Sequence, residues 1–190
     1  RGNRGRTTAS NETRAAYTDA VRDVLSNADG NTLICMPSYA EAEWLHDELN
    51  NHVSNSLYLD ESSSNEETMA LKRAFEQQSD GVLLTSLRGT LTEGVDYAGD
   101  KLSNVIVCGV PLTYPYSNEA TARRTAYAVA FGRARAFDYA HTVPAMYKTR
   151  QAIGRVIRST EDVGTRVLID ERYSESGQSG HQFLSSQEQT

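Results

Sequence analysis

Thr32-Leu33-Ile34-Cys35-Met36-Pro37-Ser38 is the stretch of this 190-residue chain that decides the fold. Residues 32–36 form a nearly continuous apolar run that ends at a proline, which is typical of a strand buried on both faces of a sheet. Ser38 stands where it can cap a following helix. That helix has one apolar face, formed by Ala42, Leu45 and Leu49. A buried strand that passes directly into an amphipathic helix indicates an α/β fold.

Further strands and helices alternate along the chain in the same way. Strands are predicted at 56–59, 82–85, 105–108 and 166–170, and helices at 12–28, 66–77 and 118–130. Residues 132–141 are predicted to form either a second short helix or a turn. Because helices separate nearly all the strands, we expect a mostly parallel sheet in a three-layer α/β sandwich.

The chain contains two cysteines, Cys35 and Cys108. Both lie inside apolar strand segments, which favours buried small side chains over a disulfide or a metal site. Two thiolates are also too few for a four-cysteine iron–sulfur cluster.

The length suits a single domain, which we expect at residues 12–173. It should follow a basic, flexible lead-in at 1–11 and precede a polar, flexible tail at 174–190. The chain begins with Arg1 rather than Met, which suggests an excised piece of a longer protein. No apolar stretch approaches the roughly 20 residues that span a bilayer, and no secretory signal opens the chain. We therefore expect a cytoplasmic protein without membrane contact.

Charge is distributed unevenly over a chain whose net charge is −6. Residues 123–158 carry eight basic residues against Asp138, a local charge of +7. Such a segment fits a polyanionic ligand, nucleic acid or nucleotide, although part of it can also be a solvated helix face. Only three of the 19 basic residues are lysines. Acid excess with few lysines resembles the surfaces of proteins from salt-loving prokaryotes, notably archaea, in which salt screens carboxylate repulsion.

One motif combines a glutamine with two arginines in the run Gln151-Ala152-Ile153-Gly154-Arg155-Val156-Ile157-Arg158. On a continuous helix these three polar side chains lie at i, i+4 and i+7 on one face. A guanidinium stays charged and offers a fork of donors that matches phosphate oxygens. Gly154 leaves room for another backbone or a ligand. The alternative for an isolated helix is a solvated arginine stripe.

A second motif is the polar, glycine-punctuated segment 86–97, which directly follows the apolar run Val82-Leu83-Leu84. Open α/β sheets bind their ligands outside the carboxyl ends of the strands, where such a loop would lie. Its glycines alone indicate only ordinary turns.

These motifs, taken in order, resemble those of the XPD/Rad3 and DinG group of superfamily 2 DNA helicases, and the XPD branch fits better. Glu93-Gly94-Val95-Asp96 resembles motif V, and residues 151–158 match the motif VI pattern Q-x-x-G-R-x-x-R. The other matches, spread between residues 8 and 173, are Glu12-Thr13-Arg14, Pro37-Ser38-Tyr39 (similar to motif IV), Gly109-Val110-Pro111 and Asp170-Glu171-Arg172-Tyr173. The resemblance implies a RecA-like fold, specifically the second, C-terminal motor domain, which lacks the P-loop.

The resemblance implies an ATP-dependent helicase that moves 5′ to 3′ on single-stranded DNA and serves DNA repair. The chain has no G-x-x-x-x-G-K-[ST] loop and no D-E-x-H box, so the isolated domain should not hydrolyse ATP. ATP and Mg²⁺ would be shared with the N-terminal motor domain of the same protein, which in the XPD branch also carries a 4Fe–4S cluster. Repair or transcription factors are the further partners that the resemblance implies.

For the nucleotide, the resemblance implies roles in motifs V and VI. Phosphoryl transfer builds negative charge on phosphate oxygens, which positioned arginines stabilise. The candidate arginine fingers are Arg155 and Arg158, with Gln151 orienting the phosphate or the attacking water. The other residues expected near the nucleotide are Gly94, Asp96, Glu93 and Gly154. Of these, Glu93 is expected to tie motif V to motif VI through an arginine, and Asp96 has a helix or turn cap as its alternative role.

For single-stranded DNA, hydroxyls, backbone amides and an arginine suit contacts that do not depend on sequence. The residues that the resemblance assigns to DNA are Ser38, Tyr39, Ser86 and Arg88. Tyr39, Tyr114 or Tyr116 could stack on bases, or be core or rim residues instead. Met36, Pro37 and Pro115 depart from the family pattern, which leaves the DNA path near them open.

Two other functions fit parts of the sequence. The first is a non-catalytic nucleic-acid-binding module that keeps the helicase fold without the motor. The second is a Rossmann-type dinucleotide enzyme, which is disfavoured because no G-x-G-x-x-G follows the first strand.

Overall fold

A single parallel sheet forms the centre of the molecule in the computed structural model, which describes residues 10–61, 64–97, 101–156 and 163–174. The five strands of the described ranges are β1 (Thr32–Met36), β2 (Leu57–Leu59), β3 (Val82–Ser86), β4 (Asn104–Cys108) and β5 (Thr165–Ile169). Their order across the sheet is β2-β3-β1-β4-β5, and each neighbouring pair is parallel. The predicted parallel α/β architecture is confirmed.

The helices connect successive strands. In chain order they are α1 (Asn11–Asn27), α2 (Tyr39–Leu49), α3 (Asn65–Glu76), α4 (Thr90–Glu93), α5 (Asn118–Phe131), α6 (Arg133–Phe137) and α7 (Val143–Ile153), with a π-helical turn at Asp138–Thr142 and a 3-10 turn at Glu171–Tyr173. Serines cap the helices α1, α2, α3 and α5 by accepting a backbone N–H from the first turn. Within the described ranges, no helix combines the length and apolarity needed to cross a bilayer.

Two separate hydrophobic cores make the fold three-layered. Alternate residues of each strand face opposite sides, as the period of a strand requires. On one side Ile34 and Met36 pack with α1 and α2, and on the other Leu33 and Cys35 pack with residues of α3 and α7. The strands β1, β3 and β4 are therefore buried along their whole length, which explains their continuous apolar sequences.

The two cysteines are buried on opposite faces of the sheet, because Cys35 belongs to one core and Cys108 to the other. Both are free thiols, as the apolar strand pattern predicts. Burial raises the pKa of both thiols, that of Cys108 to about 12, with a further increase from the charge of Asp170 at Cys108. Neither is suited to act as a thiolate nucleophile.

Helix α7 ends earlier than the sequence pattern predicts. The amide of Gly154 still donates to Arg150 O at 2.9 Å, but that of Arg155 donates to Ala152 O at 3.1 Å, three residues back. The chain thus tightens into a turn after Ile153, where glycine lowers the propensity to continue the helix. The prediction that Gln151 and Arg155 share the face of a continuous helix is wrong, and Arg158 lies outside the described residues.

Of two short segments near the motifs, one differs from its prediction and the other agrees with it. A one-turn helix, α4, forms inside the segment 86–97 that the glycines suggested was a loop. Residues 132–141, predicted to form a second short helix or a turn, contain the short helix α6 and most of the π-helical turn that runs directly into α7. Both segments are short, so tertiary contacts rather than local pattern decide their conformation.

Asn31 joins three connections at the amino edge of the sheet. Its side-chain Nδ2 donates to Gln78 O at 3.0 Å, to Lys101 O at 3.1 Å and to Phe75 O at 3.4 Å, and its Oδ1 accepts from Gly81 N at 2.8 Å. The residue is only 4% exposed. One amide therefore holds the entrance to β1 against the chain that leads into β3 and β4.

Replacing Asn31 with alanine should lower the free energy of unfolding by about 2–4 kcal/mol, because buried carbonyls and one buried amide would lose their partner. Urea unfolding of the chain followed by circular dichroism measures this change. Asn55→Ala is the matched control, since the exposed Nδ2 of Asn55 makes one bond, to Asp80 O at 2.9 Å. Equal losses in the two variants would contradict the role given to Asn31.

Candidate functional site

A groove lies at the carboxyl edge of the sheet, between the neighbouring strands β1 and β4, whose following connections run in opposite directions. The chain leaves β1 toward β2 and β3 on one side, while β4 leads toward β5 on the other, so this is the switch point of the topology. The groove has a volume of about 680 Å³. Its walls come from α1 and from the loops after β1, β3, β4 and β5. They include Tyr17, Ser38, Arg88, Gly109, Tyr114 and Arg172.

Two glycines allow the loops at this edge to touch. Gly109 has φ +74°, and a side chain there would place its Cβ 2.8 Å from Pro37 Cγ. At Gly89 a Cβ would lie 2.7 Å from the hydroxyl of Tyr39 and 2.9 Å from Thr85 Oγ1. The loop after β3 therefore packs directly on the first residue of α2, and the loop after β4 packs on the proline that ends β1.

The structure brings two of the four residues assigned to DNA into the groove lining. Ser38 lines it while its Oγ caps α2, accepting from Glu41 N at 3.3 Å. Arg88 lines it while its Nη2 donates to Pro111 O at 2.9 Å. Ser86 is only 2% exposed, and its Oγ accepts from Arg88 N at 3.2 Å, so this hydroxyl positions Arg88. Tyr39 lies beside the groove, against Gly89.

Exposed tyrosines form the rim of the groove. Tyr114 and Tyr116 are 51% and 72% exposed, and their rings meet edge to face with centroids 5.6 Å apart. Exposed aromatic faces of this kind are suited to stacking against a planar ligand.

An ion pair between Asp170 and Arg172 lines the groove on the side of β5. Arg172 holds Asp170 through two bonds of 2.6 Å, one to each carboxylate oxygen, and the hydroxyl of Tyr17 donates to Asp170 Oδ2 at 3.0 Å. Burial alone would raise the pKa of Asp170, but the hydrogen bonds and charge of Arg172 outweigh it, and the pKa lies below the ordinary range of a carboxyl. The arrangement fixes α1 to the end of β5.

A second cluster joins the turn after α7 to the loop after β3. Arg155 donates from Nε to Thr92 O at 3.0 Å and from Nη1 to Val95 O at 2.8 Å, and Nη1 lies 3.4 Å from Asp96 Oδ1. The Arg155 side chain is 17% exposed, whereas that of Asp96 is 82% exposed. The guanidinium therefore clamps the segment 92–96 from its buried side and leaves the Asp96 carboxylate facing outward.

Glu93 is bonded to a lysine of α7, while its expected tie to an arginine of motif VI stays a prediction for Arg158, outside the described residues. Its carboxylate pairs with the ammonium of Lys148, on α7, and within the described ranges no bond from it to an arginine of motif VI is seen. The reason is geometric: α4 packs against α7, which brings Lys148 onto Glu93, while the guanidinium of Arg155 is held by the carbonyls farther along. Glu93 still ties the two motifs together, but through a lysine one turn before motif VI.

The two glycines assigned to the nucleotide site, Gly94 and Gly154, each lie directly after the end of a helix. Gly94 ends α4, its amide donating to Thr90 O at 2.8 Å. A Cβ on Gly154 would meet only carbonyl oxygens of α7, the nearest being Arg150 O at 3.1 Å. Among the described residues, then, no other element uses the space that Gly154 leaves. Gln151 is half-buried in the last turn of α7.

A buried hydrogen-bonded link between α7 and the groove has no counterpart in the sequence-based assignments. Tyr173 is 7% exposed, and its hydroxyl donates to Gly109 O at 2.9 Å. The hydroxyl of Thr149 lies 3.0 Å from that of Tyr173. Because a carbonyl only accepts, a Tyr173 proton donated to Gly109 O leaves Thr149 as the donor between the two hydroxyls. The same Thr149 proton also faces Ala145 O, at 3.2 Å, so it is shared between Tyr173 and the preceding turn of α7. The motif 170–173 was noted in the sequence, but nothing in it indicates this bond to Thr149.

Four of the eight basic residues of the segment 123–158 lie on the helices α5 and α6. In α5 only Ala120 is buried, and Arg123 pairs with Glu119 at 2.5 Å within the same helix. Arg124 and Arg133 line a shallow groove between α5 and α6, apart from the groove at the carboxyl edge. The local charge of this segment is thus spread over two regions, and only its carboxyl-terminal part belongs to the clamp.

Comparison with known protein sequences gives one family and two informative relatives. The family described as helicase C-terminal domain matches residues 21–190. The helicase subunit XPD of general transcription and DNA repair factor IIH from Dictyostelium discoideum is 32% identical over 134 residues, 66% of this chain and 16% of that protein. The 3′-5′ exonuclease DinG of Bacillus subtilis is 28% identical over 154 residues, 80% of this chain and 16% of that protein. This chain therefore spans about one sixth of either relative.

Comparison with solved structures shows the same fold. A structure of XPD in its apo form aligns with a TM-score of 0.70 at 23% sequence identity, over 94% of this chain and 36% of that one. At this identity the likeness speaks for the fold alone.

Asp170→Asn should lower the free energy of unfolding at pH 7 by about 1–3 kcal/mol, since a buried charged hydrogen-bond partner is lost. The pKa of Asp170 is depressed in the folded state, so its contribution is present above the unfolded value of about 3.9 and is lost as pH falls through the folded value. Urea unfolding of both proteins between pH 7 and pH 3 should show the difference shrinking below about pH 4.

Asp19→Asn is the control for that series, because Asp19 is 79% exposed and lies 3.9 Å from its partner Arg22. Its effect should stay within about 0.5 kcal/mol at each pH. A difference between wild type and Asp170→Asn that is the same at pH 7 and pH 3 would show that the carboxylate charge is not what stabilises this end of the groove.

Proposed function

The chain belongs to the helicase C-terminal domain family, as an XPD/Rad3-like member with the RecA-like fold of a second helicase domain, and from this premise we propose that it is the C-terminal motor domain of an ATP-dependent DNA helicase. The observation that supports the motor most directly is the clamp of Arg155 on segment 92–96. It places a cation and the outward carboxylate of Asp96 together at one edge of the domain. Such an edge suits an ATP site completed by a second domain.

In this proposal motifs V and VI act as one unit on the nucleotide. Arg155 holds the motif V segment in place, and its charge lies where negative charge develops during phosphoryl transfer. Gln151 orients the phosphate or the attacking water from the last turn of α7. Arg158, outside the described residues, is the second finger. Gly94, Glu93 and Gly154 shape the same edge.

The rest of the ATP site would come from the N-terminal motor domain of the same protein. That domain would supply the P-loop and the acidic residues for Mg²⁺, since the described residues contain no group of His, Cys, Asp or Glu that could hold a metal ion. A 4Fe–4S cluster would likewise be held elsewhere in the protein. The isolated chain is therefore proposed to be inactive as an ATPase, and closure of the two domains to assemble the site.

The groove at the carboxyl edge is proposed to hold single-stranded DNA. Arg88 offers a cation for a phosphate, Ser38 a hydroxyl, and Tyr114 an exposed ring for a base. Contacts of these kinds do not depend on sequence, as a translocating motor requires. We propose movement 5′ to 3′, as the motif resemblance implies. We also propose a role in DNA repair, in line with the XPD relative, whose name includes DNA repair.

The first test concerns ATP hydrolysis by the full-length protein. Arg155→Ala and Arg158→Ala should each reduce the DNA-stimulated turnover by at least about a hundredfold, because positioned arginines contribute orders of magnitude to phosphoryl transfer. Affinity for single-stranded DNA should stay within about threefold, since Arg155 does not line the groove and Arg158 is assigned to the nucleotide in this proposal. A phosphate-release assay and fluorescence anisotropy with an oligothymidylate measure the two quantities.

Arg22→Ala is the matched control for both assays, because Arg22 lies on α1 and pairs only loosely with Asp19. Turnover near the wild-type level in Arg155→Ala or Arg158→Ala would remove that residue from the ATP site. A full-length wild-type protein that binds DNA without hydrolysing ATP would support the non-catalytic module in place of the motor.

The second test concerns DNA binding. Arg88→Ala should weaken binding of an oligothymidylate severalfold and flatten the dependence of log affinity on log salt by about 0.7, the value for one lost phosphate contact on a single strand. Turnover at saturating DNA should change less than affinity. Anisotropy titrations at several salt concentrations, with Arg22→Ala as control, measure the slope. An unchanged slope would reject a phosphate contact by Arg88.

A further inference from the structure

Two hydrogen-bonded routes connect α7 with the groove, and together they close a ring. The first route starts at Arg155, which holds Thr92 O at 3.0 Å. The hydroxyl of Thr92 donates to Gly89 O at 2.8 Å and lies 3.1 Å from Ser86 O, which fixes the loop that carries Arg88. Arg88 in turn holds Pro111 O across the groove.

The second route starts at Thr149, in the middle of α7, and passes through Tyr173 to Gly109 O. Gly109 and Pro111 belong to the same short loop after β4. That loop is thus held from both sides, by Arg88 from the groove and by Tyr173 from the core. Thr149 is fully buried, so this second route is shielded from water.

We propose that Tyr173 is a positioning residue whose hydroxyl couples the DNA groove to α7 and, through it, to the turn that carries Arg155. This inference rests on the proposed function, because it assigns the groove to DNA and the turn to ATP. The coupling needs a bond that DNA changes, and Arg88 provides it. A phosphate in the groove competes for the guanidinium, which releases Pro111 O and leaves the loop tied through Gly109 to Tyr173.

The packing around Tyr173 allows the role of its hydroxyl in coupling the groove to α7 to be separated from the role of its ring. The ring of Tyr173 lies in the same core cluster as Ala145 and Met146 of α7 and Val110 of the loop. Phenylalanine would keep these contacts and remove only the bonds to Gly109 and Thr149. A variant that loses these bonds but keeps the packing therefore tests the coupling between the two sites separately from the stability of the fold.

The test uses the full-length protein and compares turnover with and without a saturating oligothymidylate. In Tyr173→Phe the ratio of DNA-stimulated to basal turnover should fall at least about fivefold, the lower range of ordinary coupling between sites. Basal turnover and DNA affinity should stay within about twofold. A purely structural role would lower basal turnover and leave the ratio unchanged.

Thr149→Val supplies the second variant, should Tyr173→Phe fail to fold. It should lower the ratio by a similar factor, and the double variant should lower it no further, because both changes remove one link. Thr18→Val is the matched control. Thr149 donates one helical turn back, to Ala145 O at 3.2 Å, and the buried hydroxyl of Thr18 makes the equivalent bond to Arg14 O at 3.1 Å, with no bond to a tyrosine hydroxyl seen among the described residues. Its ratio should equal that of wild type.

The outcomes separate the two proposals. If DNA stimulates ATP turnover by the wild-type protein and stimulates Tyr173→Phe and Thr149→Val to the same extent, the coupling is overturned. The proposed function then still stands. Multiplying effects in the double variant also overturn it, since they would show two independent roles. A wild-type protein without DNA-stimulated hydrolysis overturns the proposed function, and the coupling with it.

Discussion

Parallel alignment of all five strands is the constraint on which the rest of this structure depends. Parallel strands all end at the same edge, so the polar loops that follow β1, β3, β4 and β5 meet there, although they are far apart in sequence. The groove and the Arg155 clamp both arise from this convergence. The opposite edge of the sheet stabilises the fold. There the buried side-chain amide of Asn31 bonds the connections that lead into β3 and β4.

Convergence of loops brings buried polar groups with it, and each needs a partner. Backbone carbonyls at Thr92 and Val95 would be costly to bury alone, and the guanidinium of Arg155 satisfies both. Gly109 O is satisfied by Tyr173, and Asp170 by Arg172. The residues that complete these bonds come from the turn after α7 and from the 3-10 turn after β5, so the last described elements of the domain assemble the site.

The sequence predicts local features well and side-chain partners poorly. The strand 32–36 and the Ser38 cap were predictable, because apolar continuity and an N-cap hydroxyl act within a few residues. The end of α7 was missed, since the motif pattern does not register the turn that Gly154 allows. Lys148 as the partner of Glu93, and Thr149 as the partner of Tyr173, depend on how α7 packs, which no short-range pattern encodes. The RecA-like fold was predicted from motif order, and the structure confirms it.

The two routes from α7 differ in kind, and the difference suits them to different tasks. The Arg155 route is charged and makes several bonds, so small displacements leave it intact and it preserves the geometry of motifs V and VI. The Tyr173 route is neutral and passes through two hydroxyls, those of Thr149 and Tyr173, whose hydrogen bonds weaken steeply with distance and angle. A movement of the loop after β4 that the first route would tolerate is enough to break the second. The strong Arg155 clamp thus keeps one site rigid, while the weaker, buried Tyr173 link allows a response at the other.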